Sequence, residues 1–272
     1  MIRTRIETFG DATLYLGDCR DITPGMEPVD MIFTDPPYGH NNNNGDLIQN
    51  WEAVLGRGKR GEARPIANDG PEANDLARWL FAESKRLLRS GGCCCCCCCG
   101  GGGPDPQFAR WSLWMNDVLE FKQMVIWDKG PMGLGWHYRR SYETVLVGMK
   151  PGAACRWFDD SQKIENIIRP NAFGIRKIIP SAEQHPTEKP VALAGHFISL
   201  HSQPGDVVFD PFMGSGSTAE ASLMRGRKFI GIEINQRYFD MAYRRIALVS
   251  RQGKLFAFDS ADDSAEQNAE TE

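Results

Sequence analysis

The sequence predicts an α/β fold, with strands and helices alternating along the chain. Three observations carry this expectation. A short apolar run, Met31-Ile32-Phe33, stops at Asp35-Pro36-Pro37-Tyr38, as a buried strand would. A helix-spaced series follows in Leu76, Leu80, Ser84, Leu87 and Leu88. Later, "GDVVFDPFMGSGSTAEASLMRGRKFIGIEINQRYFDMAYRRI" reads as strand, glycine turn, helix, strand and helix in succession.

Taken in order, the strand ending at Asp35 gives way to residues 39–71, rich in Gly, Asn and Arg and read as a long surface loop. The Leu76 to Leu88 helix then reaches Gly91, read as its C-cap. Next come seven consecutive cysteines, Cys93 to Cys99, where the alternation calls for a strand. Successive strand side chains point to opposite faces, so seven in a row cannot converge on one ion. Zinc sites favour closely spaced pairs, and only Cys19 and Cys155 lie outside the run, so no metal is expected. The run is read as a buried strand of inert thiols.

A helix over "DPQFARWSLWMNDVLEF" leads into a strand at "KQMVIWDKG", and a further strand spans Glu143 to Gly148. Residues 150–184 read as irregular, and Val191 to Ser202 as a helix. His137, His196 and His201 match no acid or nucleophile pattern and are read as structural. Trp127, Trp136 and Trp157 are assigned to packing in the core or loops. A single domain over 1–258 is expected, because no second hydrophobic core is visible.

Composition narrows the class of protein. The chain has 272 residues, 42% hydrophobic and 24% charged, enough apolar material for a sizeable core without a disulfide framework. No run approaches the roughly 18 apolar residues of a membrane span, and no signal-like segment opens the chain. A reducing cytosol is the expected setting. The net charge of −4 is unevenly distributed, since residues 259–272 hold six acids and no base and read as a disordered tail. Basic clusters at Arg57, Lys59, Arg60 and Arg64, and at Arg139 and Arg140, are candidates to meet phosphates.

Two motifs carry chemistry. The strand from Val207 to Phe209 ends at Asp210 and enters the Gly214-Ser215-Gly216 turn, with a helix beginning near Thr218. Glycines there permit unusual backbone angles, and a helix start offers free N–H groups. Glu233 ends the next strand, where an acid can hold two ribose hydroxyls. Gly214-x-Gly216-x-x-Ala219 also fits a looser dinucleotide fingerprint, so alone this unit indicates only a nucleoside cofactor and leaves a nicotinamide oxidoreductase open. At the other motif, Pro36 and Pro37 stiffen the chain, leaving a carboxylate beside fixed carbonyl acceptors. That pair suits an exocyclic amine, with Tyr38 as a flat face for the ring bearing it.

Together these residues resemble the amino-methyltransferases of DNA, which move a methyl group from S-adenosylmethionine to adenine N6 or cytosine N4. "DPPY" at 35–38 resembles the catalytic motif of that family, and "FDPFMGSGST" at 209–218 its cofactor motif, with Asp210, Phe212, Gly214, Gly216 and Thr218 in place. "LYLGDCRDI" at 14–22, "HPTEKP" at 185–190 and Glu233 in "GIEI" resemble further cofactor-side elements. The resemblance spans about residues 10–247, with the catalytic motif first, as in the permuted β arrangement.

The resemblance implies a Rossmann-like fold with a seven-stranded, mostly parallel sheet and helices on both faces. It also implies S-adenosylmethionine as cofactor, duplex DNA as partner and a cytoplasmic setting in a prokaryotic cell or phage-infected host. Asp35, Pro36, Pro37 and Tyr38 would be catalytic. Asp18, Asp35, Thr187, Lys189, Asp210, Phe212, Gly214, Gly216, Thr218 and Glu233 would line the cofactor pocket. Asp18 could equally form a turn, and Thr187 and Lys189 could belong to a helix start. DNA contacts are expected in residues 39–70 and 150–184, including Arg57, Lys59, Arg60, Arg176 and Lys177, and at Arg139 and Arg140. Asp at the first motif position favours adenine over cytosine in the family. Transfer to RNA or to a protein amide, and a silent DNA binder, are the other readings; a homodimer and a partner nuclease stay open.

Overall fold

In the computed structural model, residues 5–39, 65–98, 107–131, 141–175, 185 and 187–251 are described. Within them nine strands form one sheet: β1 (Arg5–Phe9), β2 (Ala12–Leu16), β3 (Val29–Thr34), β4 (Leu88–Cys98), β5 (Glu120–Asp128), β6 (Tyr142–Met149), β7 (Ile167–Ile168), β8 (Val207–Asp210) and β9 (Lys228–Glu233), in the spatial order β1-β2-β9-β8-β3-β4-β6-β5-β7. Neighbours from β2 to β4 run parallel, whereas β6 lies antiparallel to both β4 and β5. The expected class holds, but there are nine strands rather than seven.

The extra count has identifiable sources. Arg5–Phe9 pairs with β2 as an antiparallel hairpin at one edge, and Ile167–Ile168 adds a short parallel strand beyond β5. Neither carries a strong strand pattern in the sequence, and the second lies inside the segment read as irregular.

Helices α1 (Cys19–Ile22), α2 (Ala73–Leu87), α3 (Gln107–Val118), α4 (Val191–His201), α5 (Ser217–Leu223) and α6 (residues 236–251) complete the chain. All six residues of β3 are buried, as expected for a central strand covered on both faces. The core divides along the sheet. Met31, Phe33, Cys95 and Cys97 pack on one face with Phe197 and Val208, while Ile32, Cys94 and Cys96 pack on the other with Leu80, Phe81 and Trp111. The cysteine strand is therefore real and lies between β3 and β6, with alternate thiols serving two different cores.

Gly91 is not a helix cap. It lies within β4 at φ +77, and a Cβ there would stand 2.3 Å from the Ala154 carbonyl oxygen. Its role is to let the segment after β6 cross closely, where Arg156 N–H donates to the Gly91 carbonyl at 3.0 Å.

Candidate active site

The chain reverses direction across the sheet between β3 and β8: β3 connects onward to β4 on one side, β8 to β9 on the other. Ligands of open α/β sheets bind beyond the strand C-termini at such a switch point. Here four adjacent parallel strands are each followed or ended by an acid. Asp18 follows β2, Glu233 ends β9, Asp210 ends β8 and Asp35 follows β3. Residues far apart in sequence are thus lined up along one edge.

The two motifs touch directly, with Thr34 Oγ1 donating to Asp210 Oδ1 at 2.7 Å. Asp210 also accepts from the Phe212 N–H at 3.0 Å and is bonded by Thr218. Burial still dominates and pushes its carboxyl up to about 6.

Glu233 is 9% exposed, and its oxygens accept from the N–H groups of Gly214 at 2.9 Å and Asn235 at 2.7 Å. Burial raises it to about 7 despite those bonds. A carboxylate has about four acceptor sites, so this one keeps capacity for a diol at the pocket edge. Gly214 and Gly216 both take positive φ, +54 and +85. A Cβ on Gly216 would meet Ala242 of α6 at 3.0 Å, so this glycine serves helix packing.

Asp18 caps α1, accepting from the Arg20 N–H at 2.9 Å and pairing with its guanidinium, which holds the carboxyl below its usual range. It stands beside Glu233 because Gly17 N–H donates to the Glu233 carbonyl at 3.0 Å.

At Asp35 the Lys189 ammonium lies 2.8 Å from Oδ2, and the Tyr38 hydroxyl bonds Oδ1. Lys189 also reaches Glu143 at 3.4 Å, and Glu143 pairs with Lys129 at 2.6 Å. Burial pushes Asp35 up to about 7, with Glu143 and Asp210 adding to the rise and Lys189 opposing it. For Glu143, burial is outweighed by the two lysines, which hold it at about 2. Lys189 therefore stands at the catalytic motif, where its charge bears on Asp35.

Tyr38 is only 7% exposed, its ring 6.2 Å from that of Trp111 and 5.3 Å from the Lys189 ammonium. The motif backbone is pinned from outside. Asp69 accepts from the N–H groups of Tyr38 and Gly39, both at 2.9 Å, and Gln107 Nε2 donates to the Tyr38 carbonyl at 3.0 Å. Asp69 is 2% exposed, so the end of the segment read as a surface loop is in fact buried support.

Within "HPTEKP", Glu188 accepts from Ser215 at 2.9 Å and pairs with Arg245 at 2.6 Å, tying this segment to the glycine turn and α6. Thr187 is exposed, its N–H 3.3 Å from His185 Nδ1. The structure thus gathers Asp18, Asp35, Tyr38, Lys189, Asp210, Gly214 and Glu233 along one edge. The sequence reading missed Asp69, Gln107, Glu143 and Lys129. Glu143 had a signal in hand, as an acid opening an otherwise apolar strand.

Arg57, Lys59, Arg60, Arg64, Arg139, Arg140, Arg176 and Lys177 lie outside the described residues, as do Trp136 and His137. Arg156, in the segment expected to meet DNA, instead pairs with Asp30 at 2.6 Å and Asp206 at 2.7 Å, at the opposite edge of the sheet. Trp127 is 3% exposed and belongs to the core, whereas Trp157 is 44% exposed against His201.

A stiff Asp-Pro-Pro-Tyr segment and an acid-flanked glycine turn lie side by side at the switch point of the sheet, in the arrangement expected of a transferase with a nucleoside cofactor. The chain belongs to the N6/N4 DNA methylase family, whose model, described as a DNA methylase, matches residues 29–244. The DNA adenine methyltransferase YhdJ of Escherichia coli (strain K12) is 29% identical over 254 residues, covering 82% of this chain and 78% of that protein. The Type II methyltransferase M2.MboI of Moraxella bovis is 26% identical over 246 residues, covering 85% and 86%. Among solved structures, the M1.HpyAVI–SAM complex is 26% identical and superposes with a TM-score of 0.59, over 86% of this chain and 99% of that one.

Proposed function

We propose that this chain is a DNA adenine methyltransferase that uses S-adenosylmethionine to methylate the exocyclic N6 amine of an adenine turned out of duplex DNA. The observation that carries the reading is the contact of the two motifs on neighbouring strands, Asp35 following β3 and Asp210 ending β8, joined through Thr34. A cofactor held at Asp210, Gly214 and Glu233 would meet an amine held at Asp35. The Glu233 carboxylate, fixed by backbone N–H groups, suits a ribose diol, and the carboxylate-rich edge suits a cationic ligand. When bound, S-adenosylmethionine supplies a methyl group made electrophilic by its sulfonium.

The remaining work falls to residues of this chain. An aromatic amine is a weak nucleophile because its lone pair is delocalised into the ring. Asp35 and the Pro36 carbonyl, accepting one N–H each, hold the lone pair toward the methyl group and stabilise the positive charge developing on nitrogen. Asp35, raised to about 7 by burial, then takes the surplus proton and passes it to water. Lys189 favours the ionised carboxylate and so opposes the rise that burial causes.

The Tyr38 hydroxyl bonds one Asp35 oxygen, so an amine held at that oxygen displaces it. Turning a base out of the duplex costs a few kcal/mol. Stacking on Tyr38, worth roughly 1 to 3 kcal/mol, offsets much of that once the ring is uncovered.

Adenine is favoured over cytosine because Asp35 stands first in the motif and a relative at 29% identity is named a DNA adenine methyltransferase. The test is to incubate the protein with S-adenosylmethionine and unmethylated duplex DNA, digest to nucleosides and identify the product by mass spectrometry. N6-methyladenine is expected. N4-methylcytosine would overturn the base assignment, and no methylated base, with cofactor binding demonstrated, would overturn the substrate.

A further inference from the structure

The cysteine strand contains one thiol unlike its neighbours. Cys94 to Cys97 point into the two cores. Cys93, mid-strand in β4 and paired with Met31 of β3, meets Cys155 with 3.3 Å between the sulfurs. His201, the last residue of α4, completes a group in which one ligand atom from each residue lies within 4.8 Å of the other two. Three donors from three separate elements converge, which spacing along the chain could not reveal.

The donor chemistry is specific. His201 Nδ1 lies 3.2 Å from the Arg156 carbonyl oxygen, which can only accept, so Nδ1 carries the hydrogen and Nε2 keeps the lone pair a metal needs. Metal-bound histidines are commonly fixed by such a carbonyl. Two thiolates and one imidazole form a soft set suited to zinc. A tetrahedral ion with Zn–S bonds of about 2.3 Å holds two sulfurs about 3.8 Å apart, so the observed 3.3 Å must open by only about 0.5 Å. Forming a disulfide would require the sulfurs to close by more than about 1 Å. Cys155 is half-buried and offers a route of entry, while Cys93 and His201 are buried.

We propose that Cys93, Cys155 and His201 form a structural zinc site that fastens the segment after β6 and the end of α4 to β4, with a water completing the tetrahedron. Binding releases both thiol protons to solvent. The site lies at the edge of the sheet away from Asp35, so it holds the fold and takes no part in methyl transfer.

The test uses the full chain, purified under reducing conditions, stripped with a chelator and titrated with Co2+ alone and then Zn2+ alone. One Co2+ per chain is expected, with thiolate-to-cobalt charge-transfer and tetrahedral ligand-field absorption, displaced by one Zn2+ that raises the unfolding midpoint. Cys155→Ser changes a half-buried position and should fold. It should lose the absorption bands and weaken binding at least about tenfold, with methyl transfer unchanged. His201→Gln should do the same, whereas Cys95→Val should leave the bands intact. Bands that persist in Cys155→Ser would place the metal on the cysteine run and overturn the proposal. So would the absence of stoichiometric binding, or recovery of a Cys93–Cys155 disulfide with a mass loss of two hydrogens in place of metal.

Discussion

Two aspartates five positions apart on the same strand behave in opposite ways. Asp30, near the start of β3, is 4% exposed; burial disfavours its charge, but the Val207 N–H at 2.9 Å, Arg89 and Arg156 outweigh that and hold the carboxyl below its usual range. Asp35, just past the end of the strand, has one ammonium and one hydroxyl, and burial carries it up to about 7. Burial weighs more heavily on Asp35 and a single ammonium does not offset it, whereas two arginines and a backbone N–H offset the burial of Asp30. A buried acid with its acceptor sites filled by arginines and backbone holds the fold, and one left short of donors is available to a substrate. Elsewhere in the sheet, arginine pairs lie at the Asp30 edge, while Asp210 and Glu233 at the other edge have neutral donors only and are raised by burial.

The contrast can be broken experimentally. The largest expected change outside the reaction itself comes from Asp30→Ala, which takes the carboxylate from Arg89 and leaves Arg156 with Asp206 alone. Breaking a buried pair costs about 3 to 5 kcal/mol, and because Arg89 is half exposed the loss here should fall near the lower end, about 3 kcal/mol. Urea unfolding would measure it, and transfer well below the midpoint should be unchanged; lost transfer in a folded variant would erase the distinction between the two edges.

A smaller effect is expected from Glu233→Ala. Hydrogen bonds to a charged group are worth about 1.5 to 3 kcal/mol, so cofactor affinity measured by calorimetry should weaken about tenfold or more. An unchanged dissociation constant would remove Glu233 from the pocket.

Smaller still is Lys189→Met. The ammonium favours the charged Asp35, so its loss raises the Asp35 pKa further. The carboxylate is the accepting form, and the acidic limb of the single-turnover pH profile should therefore move to higher pH, by about one unit. A shift to lower pH, or none, would show that Lys189 does not govern that carboxyl.

Much of this was legible in advance. Pro36 and Pro37 after an apolar run marked a strand end, and Gly214 to Gly216 marked the turn between β8 and α5, because local backbone chemistry dictates both. The cysteine strand was legible from the alternation of elements, even with an unusual residue filling it. What stayed hidden depends on contacts between distant segments. Lys189 read as a cofactor-side residue or part of a helix start, yet its ammonium crosses to Asp35 and Glu143. Asp69 read as loop, yet it holds the Tyr38 and Gly39 backbone from 30 or so positions away. Cys93, Cys155 and His201 share no spacing signature, and only the crossing at Gly91 brings the second near the first. Tyr38 read as a flat face for a base, and its hydroxyl also bonds Asp35.

The most direct test of the central claim measures two quantities on one preparation of Asp35→Ala: the single-turnover rate of methyl transfer to duplex DNA, and the equilibrium dissociation constant for S-adenosylmethionine. Removing a group aimed at developing charge costs about two to three orders of magnitude in rate, so transfer should fall by at least that much while cofactor affinity stays close to that of the unmodified chain. Transfer that survives would show that Asp35 is not the acceptor for the amine.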